Sequence, residues 1–312
     1  MSEPATVSRR EAWLMAARPH TLPAAASPII VGTGLAVHDG VFAPLAALAA
    51  LLGAGLIQVG TNFANDYFDA VKGADTPDRE GFTRVTAGGL IDAERVRQAT
   101  VATFALAVLV GLYLVAIGGV PILVVGLASV AAGVLYTGGP WPFGYHGLGD
   151  LFVFVFFGLL AVTGTYYVQA AATAGAFLPL WLPAGTVTGR AVVASLPMAG
   201  LITAILVVNN VRDLETDRAA GKRTLAVLLG ATGARAEYVA LLALAYLVPV
   251  WCWLGADFSP AVLLPLLTLP YAGRLARIVW TRTDGAALNP ALSGTGRLVA
   301  LFAVLFAIGL AA

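Results

Sequence analysis

Nine apolar stretches, most of them close to the length of a membrane-crossing helix, follow one another along this sequence. They fall at roughly 22–37, 42–68, 94–117, 121–137, 148–171, 191–212, 237–255, 261–280 and 291–311. A helix that crosses the hydrocarbon core of a bilayer needs about 20 mostly apolar residues. Charged residues make up only 11% of the 312, against about 25% in a soluble domain. Such a chain cannot cover a globule with water-loving side chains, and its solvent is mostly lipid. Period-2 alternation over segments of ~10 residues, the mark of a membrane β-barrel, is absent. The reading is an all-α polytopic membrane protein: a bundle of nine transmembrane helices forming a single domain over 1–312.

These observations exclude a soluble enzyme, a disulfide scaffold and a disordered chain. The one cysteine, Cys252, lies in the apolar run Val250 to Leu254 and reads as a small lipid-facing or packing residue. Segment 2–18 is polar and mixed in charge, unlike a cleavable leader. A net charge of +1 gives no sign of a nucleic-acid partner.

Positive charge orients the spans. With the N-terminus in the cytoplasm and nine alternating helices, 17 of the 18 Lys and Arg residues face the cytoplasm and Arg190 alone lies outside. That distribution satisfies the positive-inside rule. It predicts a multi-pass protein of the cell's inner membrane, with residues 1–20 as a cytoplasmic segment and 69–93 and 213–236 as cytoplasmic loops.

The carboxylates are clustered. Seven of 17 lie between Asp66 and Glu94, and four more between Asp213 and Glu237. Each cluster starts at the cytoplasmic end of a long apolar helix, and the two align as Asn65-x3-Asp69 and Asn209-x3-Asp213. Residues four apart share a helix face, and Asp66 and Asp217 lie three and four residues from their neighbours Asp69 and Asp213. Like charges packed at the edge of hydrocarbon need a positive partner. Carboxylate and amide oxygens suit Mg²⁺, which bridges a few carboxylates to substrate phosphates. Lys72, Lys222 and Arg223 follow the clusters and can meet phosphate oxygens. A plain solvated face remains the alternative for either cluster alone; two of matching form favour a Mg²⁺–diphosphate site. An ion-coupled transporter is the other class that uses carboxylates in a membrane. The three histidines, His20, His38 and His146, make no transition-metal cluster.

The segments Asn65-Asp66-x-x-Asp69 and Asp213-x3-Asp217-x3-Gly221-Lys222 resemble the two aspartate-rich motifs of the UbiA-type intramembrane aromatic prenyltransferases. Arg18-Pro19-His20-Thr21-Leu22-Pro23, Tyr136-Thr137-Gly138-Gly139-Pro140 and Leu148-Gly149-Asp150 resemble segments of the branch that serves menaquinone biosynthesis. Gly73 stands where many members carry a further Asp, with Asp75 two residues on as the open substitute.

The resemblance implies transfer of a polyprenyl group from polyprenyl diphosphate to 1,4-dihydroxy-2-naphthoate, with loss of CO₂ and diphosphate, giving demethylmenaquinone. Other members act on 4-hydroxybenzoate or homogentisate. It implies that Asn65, Asp66, Asp69, Asp213 and Asp217 hold Mg²⁺. Lys72, Arg84, Asn209, Lys222 and Arg223 become its diphosphate partners, and Asp69, Asp213 and Asp150 its catalytic carboxylates. Tyr136, Tyr145, His146 and Asp150 are the candidates for the acceptor. Asp150 has a plainer alternative as a charge favoured by a helix N-terminus. Arg18 is a candidate for the acceptor carboxylate, against a plainer role as a lipid-headgroup anchor. Phe152, Phe154, Phe156, Phe157, Tyr166 and Tyr167 are expected to line a dry aromatic chamber, and Glu215, Glu237 and Asp257 to be solvated.

Overall fold

The computed structural model describes residues 7–71, 85–255, 258–283 and 285–312. Every regular element among them is helical. Eight helices are long and apolar enough to cross a membrane, where the sequence suggests nine. The difference lies in α4 (Ala93–Leu135), which joins the expected stretches 94–117 and 121–137. A straight helix of 43 residues would measure ~65 Å at 1.5 Å per residue, about twice the hydrocarbon thickness. Gly119 interrupts it with φ 58° and ψ −149°, and Pro121 follows. The loop before α7 fills the break: Val120 N donates to Pro179 O at 3.0 Å and Leu178 N to Ala116 O at 2.9 Å. A Cβ on Gly119 would sit 1.8 Å from Pro179 O, so only glycine fits.

The N-terminal segment forms a short helix that the apolar count passes over. In α1 (Arg9–Ala17), Ser8 and Glu11 make a reciprocal capping box. Ala12 and Ala16, one turn apart, pack with Phe63, Val85 and Ile91. The chain leaves α1 at Arg18 in the left-handed region and re-enters helix as α2 (Leu22–His38). Next come α3 (Pro44–Val71), which packs along α4, then α5 (Gly149–Val153) and α6 (Ala161–Thr173). A π-helical segment, Phe154–Leu160, joins α5 to α6.

The centre of the bundle is α7 (Gly189–Arg212), packed against α2, the π segment, α9 (Leu225–Gly255) and α11 (Gly285–Ala311). It is apolar and small on all sides, as a fully surrounded helix must be. Gly158 lets it approach: a Cβ there would lie 2.1 Å from Ala199 Cα. By contrast α4 leaves Leu109, Leu112, Val124 and Leu127 exposed, a surface suited to lipid. α9 begins at Leu225, well before the expected 237, and turns at Gly230 (φ 71°). Between α7 and α9 lies α8 (Leu214–Ala219), and α10 (Leu269–Thr281) precedes α11.

Arg190, the basic residue assigned to the opposite face, pairs with Asp39 at 3.6 Å and lies over the Phe258 ring at 5.8 Å. Cys252 is buried in the main core, which makes it a packing residue and not a lipid-facing one.

Candidate active site

A cavity of about 710 Å³ opens among α3, α4, the α5–α6 segment and α7, and both aspartate clusters reach it. Asn65, Asp69, Asn209, Asp213, Asp217 and Lys222 all line it. The helix period explains the meeting. Asn65 and Asp69 share one face at the end of α3, and Asn209 and Asp213 share one at the end of α7.

In the first cluster two hydroxyls of the cavity wall meet the motif. The Tyr145 hydroxyl donates to Asp69 Oδ1 at 2.5 Å, and the Thr137 hydroxyl donates to Asn65 Oδ1 at 2.9 Å. Asp66, expected beside them as a metal ligand, does not line the cavity. Neighbouring helical residues point ~100° apart, and Asp66 turns to Thr86. Its Oδ2 accepts from Thr86 N at 3.1 Å and Thr86 Oγ1 at 2.6 Å, while its Oδ1 lies 3.9 Å from the Arg18 guanidinium.

In the second cluster the partners are cations. Arg212 grips Asp213 with a two-pronged pair, Nε to Oδ1 and Nη2 to Oδ2, both at 2.7 Å. The same guanidinium donates to Asn209 Oδ1 at 2.8 Å and to Asn289 Oδ1 of α11 at 2.9 Å. Lys222 Nζ is 3.7 Å from Asp217 Oδ1 and 4.7 Å from the Tyr145 ring centroid, so Tyr145 links the clusters. Arg223, expected at the diphosphate, is absent from the cavity wall; its backbone N–H donates to Tyr145 O at 2.9 Å. Lys72, Arg84, Asp75 and Asp257 lie outside the described residues.

Three parallel phenylalanines stack along one wall. Phe143 and Phe152 are 4.0 Å apart between centroids at 7°, and Phe152 and Phe156 are 5.7 Å apart at 3°. Of the aromatics expected there, Phe152, Phe156 and Phe157 line the cavity and Phe154 does not. Tyr166 instead donates to Asp39 at 2.7 Å, and Tyr167 to Gly118 O at 2.9 Å. A π-helix has a different repeat from an α-helix, which changes the face each aromatic presents. Phe143 completes the stack from a neighbouring 3₁₀ turn.

Tyr136 and Tyr145 line the cavity; His146 and Asp150, also expected at the acceptor, do not. His146 stacks on Trp141 at 4.4 Å, with Nδ1 2.8 Å from Pro142 O. Asp150 is 4% exposed, and neither of its oxygens has a hydrogen-bond partner among the described residues. It follows Gly149, whose Cβ position would be 3.0 Å from the Tyr136 hydroxyl. Asp150 therefore lies behind the wall that Tyr136 forms. Glu215 is solvated and pairs with Arg218, whereas Glu237 is partly buried on α9.

Asn289 and Phe143 are site residues that the motif reading passes over. Arg212 stands in Asn209-Asn210-x-Arg212-Asp213 and Thr137 in Tyr136-Thr137-Gly138-Gly139-Pro140, two segments that resemble the family's, and the sequence alone gives neither side chain a role at the site. The oxygen-rich donor set fits Mg²⁺. Among the described residues no three Asp, Glu, His or Cys side chains stand close enough to cage an ion alone. Mg²⁺ ordinarily keeps water and substrate phosphate in its shell, so an open arrangement suits it.

These features define a helical membrane protein with facing acidic clusters beside an aromatic wall. Residues 25–305 match the UbiA prenyltransferase family, and the chain belongs to that family. It is 41% identical over 320 aligned positions to the 1,4-dihydroxy-2-naphthoate octaprenyltransferase of Escherichia coli K12, covering 97% of this chain and 96% of that one. The fold is similar to a UbiA homologue from Aeropyrum pernix K1, with TM-score 0.70 and 14% identity over 89% of this chain and 94% of that one. It is also similar to a UbiA homologue from Archaeoglobus fulgidus bound to GPP and Mg²⁺, with TM-score 0.61 and 17% identity over 95% and 99%.

Proposed function

We propose that this chain transfers a polyprenyl group from polyprenyl diphosphate to 1,4-dihydroxy-2-naphthoate, releasing diphosphate and CO₂, from a site facing the cytoplasm. The observation that carries this reading is the convergence of Asn65, Asp69, Asn209, Asp213 and Asp217 on one cavity beside stacked phenylalanines. The activity named for the similar Escherichia coli enzyme supports the choice of acceptor.

Asn65, Asp69, Asp213 and Asp217 would hold Mg²⁺, which supplies positive charge to the departing diphosphate. Lys222 stands on the same wall to meet phosphate oxygens. The allylic C–O bond breaks with its electron pair remaining on the diphosphate. The ring carbon that bears the carboxylate then forms the new C–C bond as a hydroxyl proton leaves; departure of CO₂ returns its bonding pair to the ring, and that oxygen takes a proton back. Phe143, Phe152 and Phe156 offer the allylic cation a water-poor surface whose π faces attract positive charge. Tyr136 is the polar group that faces the acceptor.

The topology we propose has nine crossings, with both arms of α4 in the bilayer and the N-terminus in the cytoplasm. Purified full-length protein supplied with 1,4-dihydroxy-2-naphthoate and a polyprenyl diphosphate should yield prenylated product with Mg²⁺ and none after chelation. Turnover of 4-hydroxybenzoate but not the naphthoate would overturn the acceptor.

A further inference from the structure

We infer that the outward face of the α10–α11 pair binds the phosphate of an anionic phospholipid, held by Arg274, Arg277 and Arg297. The inference is independent of the reaction proposed above. The three arginines lie within segments long and apolar enough to cross a membrane, Pro260–Thr281 and Ala287–Ala311. All three are exposed, and among the described residues none meets a carboxylate. Asp284, the nearest acid in the sequence, lies outside the described residues. An arginine inside a membrane span is costly without a partner and marks a site by default.

The depth of Arg297 follows from its own helix. Asn289 of α11 meets Arg212, the last residue of α7, at 2.9 Å. Arg297 stands eight residues further along α11, ~12 Å deeper at 1.5 Å per residue. The hydrocarbon midplane lies only about 15 Å from either edge. Gly294 lets α10 and α11 touch: a Cβ there would lie 2.6 Å from Leu275 Cδ2 and 3.1 Å from the Tyr271 hydroxyl. Ala272, Leu275 and Val279 belong to the core, and so do Leu298, Val299 and Phe302 of α11. At ~100° per residue, Arg274 and Arg277 fall on the far side of α10, and Ser293 and Arg297 on the far side of α11. The short link from Thr281 to Gly285 makes the helices antiparallel, so these outward sides adjoin. Arg297 follows Gly294 by three residues and Arg274 precedes Leu275, so both flank one crossing. A recess lined by Arg277, Ile278, Thr281 and Arg282 continues it to the end of α10. Trp280, 46% exposed, is the type of residue that sits at headgroup level.

The guanidinium fork matches phosphate oxygens and is weakly hydrated for a cation. Basic pockets between membrane helices take anionic headgroups on this principle. Beyond Arg297, α11 turns Leu301, Val304 and Ile308 outward, 52%, 45% and 53% exposed, a bed for acyl chains. A zwitterionic lipid would bring its own ammonium against three guanidiniums, so a net negative headgroup is the better fit. The polyprenyl donor also joins an apolar chain to phosphate. However, none of the three arginines lines the cavity, and neither α10 nor α11 contains an Asp or Glu to hold Mg²⁺ on a diphosphate. Arginines that merely snorkel to the interface would not distinguish one headgroup from another.

Thermal unfolding of the purified full chain in detergent tests this, with phosphatidylglycerol or phosphatidylcholine of the same acyl chains added. A ligand that binds only the folded state raises Tm with a saturable dependence on its concentration. Phosphatidylglycerol should do so well beyond phosphatidylcholine. The double variant Arg274→Gln/Arg297→Gln should need ~10-fold or more phosphatidylglycerol for the same shift, the worth of a charge-assisted contact. Arg297→Lys should recover part of the loss, since it keeps charge but not the fork. Arg95→Gln, at an exposed position at the start of α4, should stay within about twofold of wild type. Equal shifts with the two lipids would show that headgroup charge is not read, and an equal loss in Arg95→Gln would show bulk attraction; either overturns the inference. Displacement of phosphatidylglycerol by geranyl diphosphate, followed by native mass spectrometry, would give the face to the donor and overturn it too. Should the double variant not fold, Arg277→Gln and Arg297→Gln singly carry the same comparison, and unchanged midpoints in both overturn it.

Discussion

Asp69 and Asp213 hold matching places in two helix ends that read alike, yet different kinds of group meet them among the described residues. Asp69 accepts from the phenol of Tyr145, a neutral donor, and Asp213 is locked to the guanidinium of Arg212. Arg212 is itself held by Asn209 and by Asn289, which ties the second cluster to α11. The first motif thus presents a carboxylate shaped by hydrogen bonding, and the second a preformed ion pair. Similar motifs need not share a division of labour. A metal–diphosphate complex would find a rigid, preformed post at Asp213.

The largest test of this contrast compares two alanine substitutions for both turnover and stability. Asp69→Ala and Asp213→Ala should each lower turnover by at least ~10²- to 10³-fold, as removal of a group that stabilises transition-state charge does. Their effects on folding should differ. Asp213→Ala leaves Arg212, with a side chain only 2% exposed, without its carboxylate, a loss on the order of 3–5 kcal/mol. Asp69→Ala removes the acceptor of a neutral hydroxyl, at about 1 kcal/mol. Thermal unfolding in detergent should show a fall in Tm confined mainly to Asp213→Ala. Equal falls would erase the distinction between the clusters.

A smaller effect sharpens the first cluster. Tyr145→Phe removes the hydroxyl that holds Asp69 and keeps the ring 4.7 Å from the Lys222 ammonium. It should lower kcat/KM by ~10-fold, the worth of a hydrogen bond to a charged group, and leave Tm nearly unchanged. Full activity in that variant would mean that Asp69 is aimed by something else.

The sequence made the helices legible because lipid demands long apolar runs. The boundary at Gly119 and Pro121 was visible too, but not that one assigned helix would carry the break. The meeting of Asn65, Asp69, Asn209 and Asp213 followed from four-residue spacing at two helix ends. Asp66 does not follow from its three-residue spacing to Asp69, because its carboxylate turns to Thr86 and Arg18. The π segment Phe154–Leu160 has no sequence signature as clear as a proline, so Phe154 was assigned to the wall it avoids. His146 and Arg223 lie in connecting segments, where no periodicity fixes the direction of a side chain.

The smallest predicted effect marks the edge of the second cluster. Glu215 lies two residues from both Asp213 and Asp217, and by composition it belongs to the same acidic run. Positions two apart on a helix point ~200° from one another, and α8 turns Glu215 out to solvent. There it pairs with Arg218 at 2.9 Å, the two side chains being 78% and 51% exposed. Exposed pairs at this spacing are worth ~0.5 kcal/mol or less and are screened by salt. Glu215→Gln should therefore move kcat/KM by less than about twofold at low ionic strength, and Tm hardly at all. A tenfold loss of turnover, or a shift in the Mg²⁺ concentration needed for half-maximal rate, would extend the working face around α8. Asp213 and Asp217 would then no longer be the inner side of a divided cluster.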